Sequence, residues 1–163
     1  MDLTLAIISL VILVYSAILH EISHGLVAQY LGDPTARLMG RLTLNPKSHI
    51  DPIMSIALPL ILILSGSPVI FGAAKPVPVD PFNLRDGRKD IALVSLAGPA
   101  TNFLIAIIAA VLIRALVFLP IDASFGVFIN WLLHIIARMN LLLAIFNLLP
   151  IPPLDGSKVF ALI

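Results

Sequence analysis

The sequence predicts an all-α polytopic membrane protein with three to four transmembrane helices and a short membrane-associated β-hairpin or re-entrant segment. Its 163 residues are 60% hydrophobic and 12% charged, a composition typical of integral membrane proteins. Long apolar runs begin at residue 3 and cover residues 91–119 and 127–149, and a helix needs about 20 apolar residues to cross a bilayer. We find no internal repeat, so we treat residues 1–163 as a single domain.

The first two predicted elements are a long helix and a short strand. The helix spans residues 3–31, because Gly32 can cap its end and Asp33-Pro34 prevents its continuation. Residues 37–44 alternate polar and apolar side chains with a period of two. That alternation predicts a strand.

Region 33–90 also contains a second extended stretch and a short apolar run. Pro76 and Pro78 confine the extended stretch, residues 69–79, to a sheet edge or a loop. The apolar run at residues 52–64 is shorter than the roughly 20 residues that a crossing requires. We therefore predict a re-entrant or surface-lying helix, with a short transmembrane helix as the alternative.

The distribution of basic residues predicts the orientation in the membrane. Seven Lys and Arg residues lie between the first helix and residue 91, and none lies at residues 120–126. They are Arg37, Arg41, Lys47, Lys75, Arg85, Arg88 and Lys89. The positive-inside rule then places region 33–90 in the cytosol, and the N-terminus and residues 120–126 outside. We expect a multi-pass protein of the cell membrane.

An HExxH pattern, typical of zinc proteases, follows the first apolar run as His20-Glu21-Ile22-Ser23-His24. A helix turns about 100° per residue, so His20 and His24 lie about 40° apart on one face and can bind one zinc ion. Glu21 lies close enough to hold a zinc-bound water and take its proton. A polar cluster between helices is the alternative. Each polar residue costs about 2.5 kcal/mol or more at that depth, which makes a chance match rare.

A catalytic zinc needs a third protein ligand, and Asp155 is the best candidate. The chain has no cysteines, and His49 and His134 are isolated in the sequence, as structural histidines usually are. Three prolines in the segment NLLPIPPLDG, residues 147–156, break the helix and expose the Asp155 carboxylate at membrane depth. Its alternative role is to cap a helix that begins at Ser157.

Helix lengths place the two motifs at one depth. At about 1.5 Å per residue, His20 lies about 25 Å from Leu3, and Asn147 lies about 30 Å from Val127. If both helices enter from outside, both motifs reach the same level near the cytosolic face. The helix at residues 91–119 supplies the return crossing that this arrangement requires.

With these paired motifs the chain resembles the site-2 protease family of intramembrane zinc metalloproteases, in a compact form without a PDZ or CBS domain. The resemblance covers nearly the whole chain and rests on HEISH at residues 20–24 and NLLPIPPLDG at 147–156. GPATN at 98–102 is similar to the family's G-x-x-x-N segment, although helix packing alone is the alternative for Gly98 and Asn102. Family members generally continue into further helices after L-D-G, which leaves open a truncation at the C-terminus.

The resemblance implies a site and an activity. It implies that His20, His24 and Asp155 bind one Zn²⁺ per chain and that Glu21 activates the water. Asn147 would help to position or polarise the substrate, with a helix-break cap as its alternative. The implied function is regulated intramembrane proteolysis: hydrolysis of peptide bonds within or near transmembrane segments of membrane-protein substrates. The implied partners are such a segment and the lipid bilayer, with no nucleic acid, and the site lies nearer the cytosolic side.

Two other classes of function stay open. A catalytically silent relative would bind zinc and hold membrane partners, although all four key residues are present. A transporter would use the His, Glu and Asp side chains as an ion path. Transporters commonly show paired halves or repeated broken helices, and the sequence has neither.

Overall fold

The computed structural model describes residues 3–66, 74–118, 120 and 122–161, and regular structure in this part of the chain is entirely helical. The elements in chain order are α1 (Leu3–Leu31), α2 (Thr35–Leu38), a 3₁₀-helix (Pro46–His49), a π-helical stretch (Pro52–Ala57) that runs into α3 (Leu58–Leu64), a second 3₁₀-helix (Pro81–Asn83), α4 (Gly87–Leu116), α5 (Ala123–Asn147) and α6 (Asp155–Phe160). Helices α1, α4 and α5 are long and apolar enough to cross a membrane. Of the predicted three to four transmembrane helices, the described residues thus contain three of sufficient length, and the predicted helical fold is confirmed.

The bundle has apolar outer faces and encloses several buried polar side chains. Helix α4 packs against α1, α5 and α6, and α1 also contacts α5. Large apolar side chains such as Leu10 and Val111 are exposed on the outer faces, whereas Ser16, Asn102 and Asn140 are buried between the helices. Lipid solvates the outer surface, and buried polar groups must find partners within the protein. The chain is thus a multi-pass membrane protein whose interior can hold polar chemistry.

Helix α1 ends in a glycine cap. Gly32 adopts a φ of +118°, and a Cβ there would lie 2.9 Å from the Asn83 carbonyl oxygen. The Asp33 N–H donates to the Ala28 carbonyl at 2.9 Å, and the Gly32 N–H donates to the Gln29 carbonyl at 3.2 Å. These two bonds form a Schellman motif, which satisfies the last carbonyls of the helix.

The strand predicted at residues 37–44 is not formed, and the β-hairpin prediction is wrong for the described residues. Thr35–Leu38 makes one helical turn, and Gly40 reverses the chain with a φ of +63°. Arg41 then folds inward, where its Nη2 donates to the carbonyls of residues 75 and 76 at 2.7 and 3.2 Å. The alternation does not mark two faces of a sheet, because Leu38 and Leu44 are exposed whereas Arg41 is buried.

Residues 74–80 form a segment without regular secondary structure, which we call the strap. The sequence predicts an extended stretch at residues 69–79. Residues 69–73 of this stretch lie outside the described residues. The strap is held by three backbone N–H groups that donate to other parts of the chain. These bonds run from Lys75 to the His49 carbonyl (2.9 Å), from Val77 to the Glu21 carboxylate (2.8 Å) and from Asp80 to the Asp33 carboxylate (2.7 Å).

Asp33 anchors the C-terminal end of the strap. Its buried carboxylate accepts hydrogen bonds from the Asp80 N–H at 2.7 Å, the Asn83 side-chain amide at 3.1 Å, and both the N–H and the hydroxyl of Thr35. Burial by itself raises the pKa of Asp33, but these hydrogen bonds outweigh burial and hold the pKa below its ordinary value. Asp33 therefore stays ionised and keeps the strap fixed relative to α1.

The apolar run at residues 52–64 is helical but short. Asp51 caps it by accepting from the N–H groups of Ile53 and Met54 at 2.9 and 2.8 Å. At 1.5 Å per residue the segment is at most about 20 Å long, less than the roughly 30 Å hydrocarbon core. This length fits the predicted re-entrant or surface-lying helix, which stays a prediction beside the alternative of a short transmembrane helix.

Candidate metal centre

Two histidines of α1 and the first residue of α6 converge inside the bundle. Asp155 Oδ2 lies 3.0 Å from His20 Nε2 and 3.2 Å from His24 Nε2. The two imidazole rings stand 4.7 Å apart, nearly perpendicular to each other. One ligand atom from each residue lies within 4.8 Å of the others. Among the described residues, this is the one group of three His, Asp or Glu side chains that can hold a metal ion.

Both imidazoles are oriented by acceptors on α4. His24 Nδ1 lies 2.6 Å from the Val94 carbonyl oxygen, and His20 Nδ1 lies 2.5 Å from Asn102 Oδ1. A carbonyl oxygen only accepts, so each Nδ1 carries the proton. In the neutral imidazole each Nε2 is then left with a lone pair, as a metal ligand requires.

Gly98 makes room for the Nε2 atoms of the two candidate metal-binding histidines. A Cβ at this position of α4 would lie 2.5 Å from His20 Nε2 and 2.5 Å from His24 Nε2. Any larger residue would displace the imidazoles from their present positions. Helix packing alone therefore does not explain Gly98, because the space that it leaves is filled by the histidines.

The group fits zinc in chemistry as well as in shape. Two imidazole nitrogens and one carboxylate oxygen give the three protein ligands of a catalytic zinc site, with a fourth position left for water or substrate. The outer hydrogen bonds from Nδ1 to an acceptor are those that usually accompany zinc-binding histidines. The glycine on the facing helix keeps the space around both Nε2 atoms open.

Asp155 reaches the histidines because α6 packs against α4 and lies close to the turn that follows α5. A Cβ at Gly156 would collide with the Leu148 carbonyl oxygen, so only glycine permits this approach. Helix α6 begins at Asp155 itself, with Leu154 at the N-cap position and no capping hydrogen bond from a side chain. The alternative role of Asp155 as the cap of a helix starting at Ser157 is therefore wrong.

Glu21 and Asn147 lie beside this group and line the same cavity of about 380 Å³. Glu21 Oε2 accepts a hydrogen bond from the Val77 N–H of the strap at 2.8 Å. Asn147 is the last residue of α5, and its side-chain amide donates to the Leu143 carbonyl at 2.9 Å. The structure thus brings Asn147 to the cavity, without a hydrogen bond to the three candidate ligands.

The two other histidines lie outside the centre. His49 is buried, and its Nε2 lies 2.8 Å from the Thr43 carbonyl oxygen. His134 is exposed on α5, where its Nδ1 lies 2.8 Å from the Asn130 carbonyl oxygen. Both make local hydrogen bonds of the kind expected for structural histidines.

The comparison with protein families matches nearly the whole chain. The model of peptidase family M50 matches residues 6–127 and 122–163. The chain belongs to peptidase family M50. This is the site-2 protease family, so the resemblance drawn from the two motifs is confirmed.

Curated relatives of this M50 chain carry the name of zinc metalloproteases. The chain is 38% identical over 149 residues to the "Putative zinc metalloprotease YwhC" of Bacillus subtilis, covering 90% of this chain and 64% of the relative. It is 37% identical over 141 residues to the "Putative zinc metalloprotease Rip2" of Mycobacterium tuberculosis, covering 86% of this chain and 51% of the relative. This M50 chain thus spans about half to two thirds of these relatives' lengths. No solved structure matches it significantly.

Several partners of the centre were not predicted from the sequence. The Val94 carbonyl and the Val77 N–H are backbone groups, which leave no signal in the sequence. Asn140 and Ser16 join the hydrogen bonds around Asn102. A sequence signal for Asn140 did exist, because it is an uncharged polar residue inside an apolar run, where polar groups are costly and usually functional.

Replacing Gly98 by Ala is expected to abolish zinc binding by this M50 chain. The new methyl group would lie 2.5 Å from the Nε2 atoms of both candidate ligands, so the two imidazoles must move away from their present positions. Gly126→Ala in α5 is the matched control, since a Cβ there has nothing within 4 Å. Zinc content after gel filtration in detergent measures both variants. Full zinc content in a folded Gly98→Ala protein would contradict the assigned position of the ion.

Proposed function

We propose that this M50 chain is the catalytic core of an intramembrane zinc metalloprotease. Its substrates are membrane proteins cut within or near a transmembrane segment, as in regulated intramembrane proteolysis. The observation that carries the proposal is the convergence of His20, His24 and Asp155 between membrane-spanning helices, with Glu21 at the same cavity. In this proposal the first three residues bind one zinc ion and Glu21 is the general base.

The contacts of Glu21 suit a general base. Bound zinc supplies a Lewis acid that polarises the scissile carbonyl and acidifies a water molecule. Glu21 then takes a proton from the water and delivers it to the leaving amine. The Val77 N–H holds Oε2 at 2.8 Å and so fixes the carboxylate, while Oε1 makes no hydrogen bond to the described residues. That second oxygen is the one positioned to accept the proton.

A second cavity supports entry of a substrate from the lipid. It has a volume of about 700 Å³, lies between α1 and α5, and is mainly apolar. It shares His20, Glu21 and Asn147 with the cavity of the candidate centre. The two cavities are thus adjacent at Glu21, and we infer that an unwound peptide from the second cavity reaches the candidate centre there. Unwinding is needed because a helical segment keeps its carbonyl groups in internal hydrogen bonds.

Asn147 is assigned a role at the substrate carbonyl. It lines both cavities from the last residue of α5. A side-chain amide at that place can donate to the scissile carbonyl as negative charge develops on its oxygen. In this proposal Asn147 positions or polarises the substrate.

The site is assigned to the cytosolic side of the membrane. Two basic residues of region 33–90 lie at the strap: Arg41, whose side chain donates to two strap carbonyls, and Lys75 within it. Positively charged loops are retained on the cytosolic face. Water for hydrolysis then reaches Glu21 from that side.

The proposal is tested with the full chain purified in detergent, loaded with zinc and mixed with a single-pass model substrate. We expect cleavage by the wild type within the transmembrane segment. Zinc binding without cleavage by the wild type would instead support the silent zinc-binding scaffold. A wild-type protein that binds no zinc would contradict both.

A further inference from the structure

A chain of buried polar side chains connects His20 to α5. His20 Nδ1 lies 2.5 Å from Asn102 Oδ1, and Asn102 Nδ2 donates to Asn140 Oδ1 at 2.8 Å. Asn140 Nδ2 in turn donates to the Ile136 carbonyl and to Ser16 Oγ, both at 2.9 Å. Asn102 and Asn140 are completely buried. Each amide therefore depends on these partners for its orientation.

A backbone carbonyl determines which atom of each side-chain amide donates and which accepts. A side-chain amide can present either its oxygen or its nitrogen to a neighbour. The Ile136 carbonyl can only accept, so it holds the nitrogen of Asn140 and turns Oδ1 towards Asn102. Asn102 must then present its nitrogen to Asn140, which leaves its oxygen facing His20.

This direction decides which nitrogen of His20 can bind a metal. Because Asn102 presents an oxygen, Nδ1 of His20 must carry the proton and Nε2 keeps its lone pair. Nε2 is the atom that faces Asp155 at 3.0 Å. If the amide of Asn102 turned over, its nitrogen would favour the opposite tautomer, with a proton on the metal-binding atom.

We propose that Asn140 is a positioning residue, which fixes the metal-binding tautomer of His20 through Asn102. This inference rests on the proposed function, because it concerns the same zinc centre. We call the hydrogen bonds from Asn140 through Asn102 to His20 the relay. His24 needs no relay, since its Nδ1 contacts a backbone carbonyl directly. Asn102 Nδ2 also donates to the Ser16 carbonyl at 3.4 Å. That longer bond favours the same orientation, so loss of Asn140 weakens the relay without removing it.

The test measures the zinc affinity of Asn140→Leu by competition with a chelator, using the full chain in detergent. We expect affinity to fall about tenfold, the lower end of the loss typical of outer-shell partners. Asn130→Leu is the matched control, because it makes the same change at an exposed position of the same helix. Asn140→Ser is a second variant, whose hydroxyl can bond to the Ile136 carbonyl but is too short to reach Asn102. Wild-type affinity in a folded Asn140 variant would overturn the proposal.

A double-mutant cycle separates this relay from a general packing defect. If Asn140 acts through Asn102, then Asn140→Leu costs little further zinc affinity once Asn102→Leu is present. If the losses of zinc affinity in the two single variants simply add in the double variant, the proposed relay is overturned. Nitrogen-15 NMR of the zinc-loaded wild type gives a direct reading: the His20 proton is expected on Nδ1, and a proton on Nε2 would overturn it as well. A wild type that binds no zinc contradicts the proposed function. A zinc affinity that is unchanged by substitution of Asn140 contradicts this inference alone.

Discussion

Glu21→Gln is expected to abolish peptide-bond cleavage while zinc stays bound. In the wild type the Val77 N–H donates to Glu21 Oε2 at 2.8 Å. Glutamine has the shape of glutamate, and its side-chain oxygen can accept the same hydrogen bond. The strap therefore keeps its place, and none of the candidate ligands changes. The amide cannot take a proton from water, and loss of a general base typically costs about 10²- to 10⁴-fold in rate. The measurement is cleavage of a single-pass substrate, with zinc content determined on the same sample.

Asp86→Asn is the matched control for this variant. It also turns a carboxylate into an amide, but at an exposed ion pair with Lys89. We expect it to cleave at the wild-type rate. Cleavage by Glu21→Gln near the wild-type rate would remove Glu21 from the role of base, and loss of its zinc would show that the residue has a structural role instead.

Asp155→Ala is expected to lose both zinc and activity. The carboxylate lies 3.0 and 3.2 Å from the two imidazole nitrogens, so its removal leaves a two-ligand site. The loss of affinity should exceed the roughly 10- to 100-fold that follows from changing an outer-shell partner. Alanine is a good helix former and Asp155 makes no capping bond, so α6 is expected to remain helical. Zinc per chain, measured by mass spectrometry after gel filtration, gives the result.

Asp122→Ala controls for the general loss of an aspartate. Asp122 caps α5 by accepting from the N–H groups of Ser124 and Phe125, at the end of the helix opposite to the centre. Its replacement should cost about 1 kcal/mol of stability and no zinc. Zinc content near the wild-type value in Asp155→Ala would show that the third ligand lies elsewhere.

The long helices and the candidate ligands could be predicted because their signals are local. An apolar run of sufficient length has few alternatives to a membrane helix, and a glycine followed by Asp33-Pro34 marks an end to α1. His20 and His24 are placed together by helical periodicity alone. Asp155 was identified from a polar residue in a proline-broken segment at the same depth. The helices and the histidine pair need only the nearby chain, whereas the choice of Asp155 also uses the lengths of the helices that lead to the two motifs.

The strand and the supports of the centre depend on tertiary contacts. Residues 37–44 show the period of a strand, yet Arg41 folds inward onto the strap and the preceding turn packs on α1. Gly98 could be recognised as a close-packing residue, but not as the residue that faces both imidazoles. The contact of Asn140 with Asn102 joins residues of different helices. This contact depends on the packing of α4 against α5, which no local sequence pattern predicts.

Zinc K-edge X-ray absorption on the purified wild-type chain tests the metal centre most directly. The structure predicts one zinc ion per chain with two imidazole nitrogens at about 2.0–2.1 Å and at least one oxygen at about 2.0–2.2 Å. Signals from two rings are expected, because His20 and His24 both face Asp155. A shell with fewer than two imidazoles, or a purified chain that holds no zinc, would contradict the assignment of His20, His24 and Asp155 as the metal ligands.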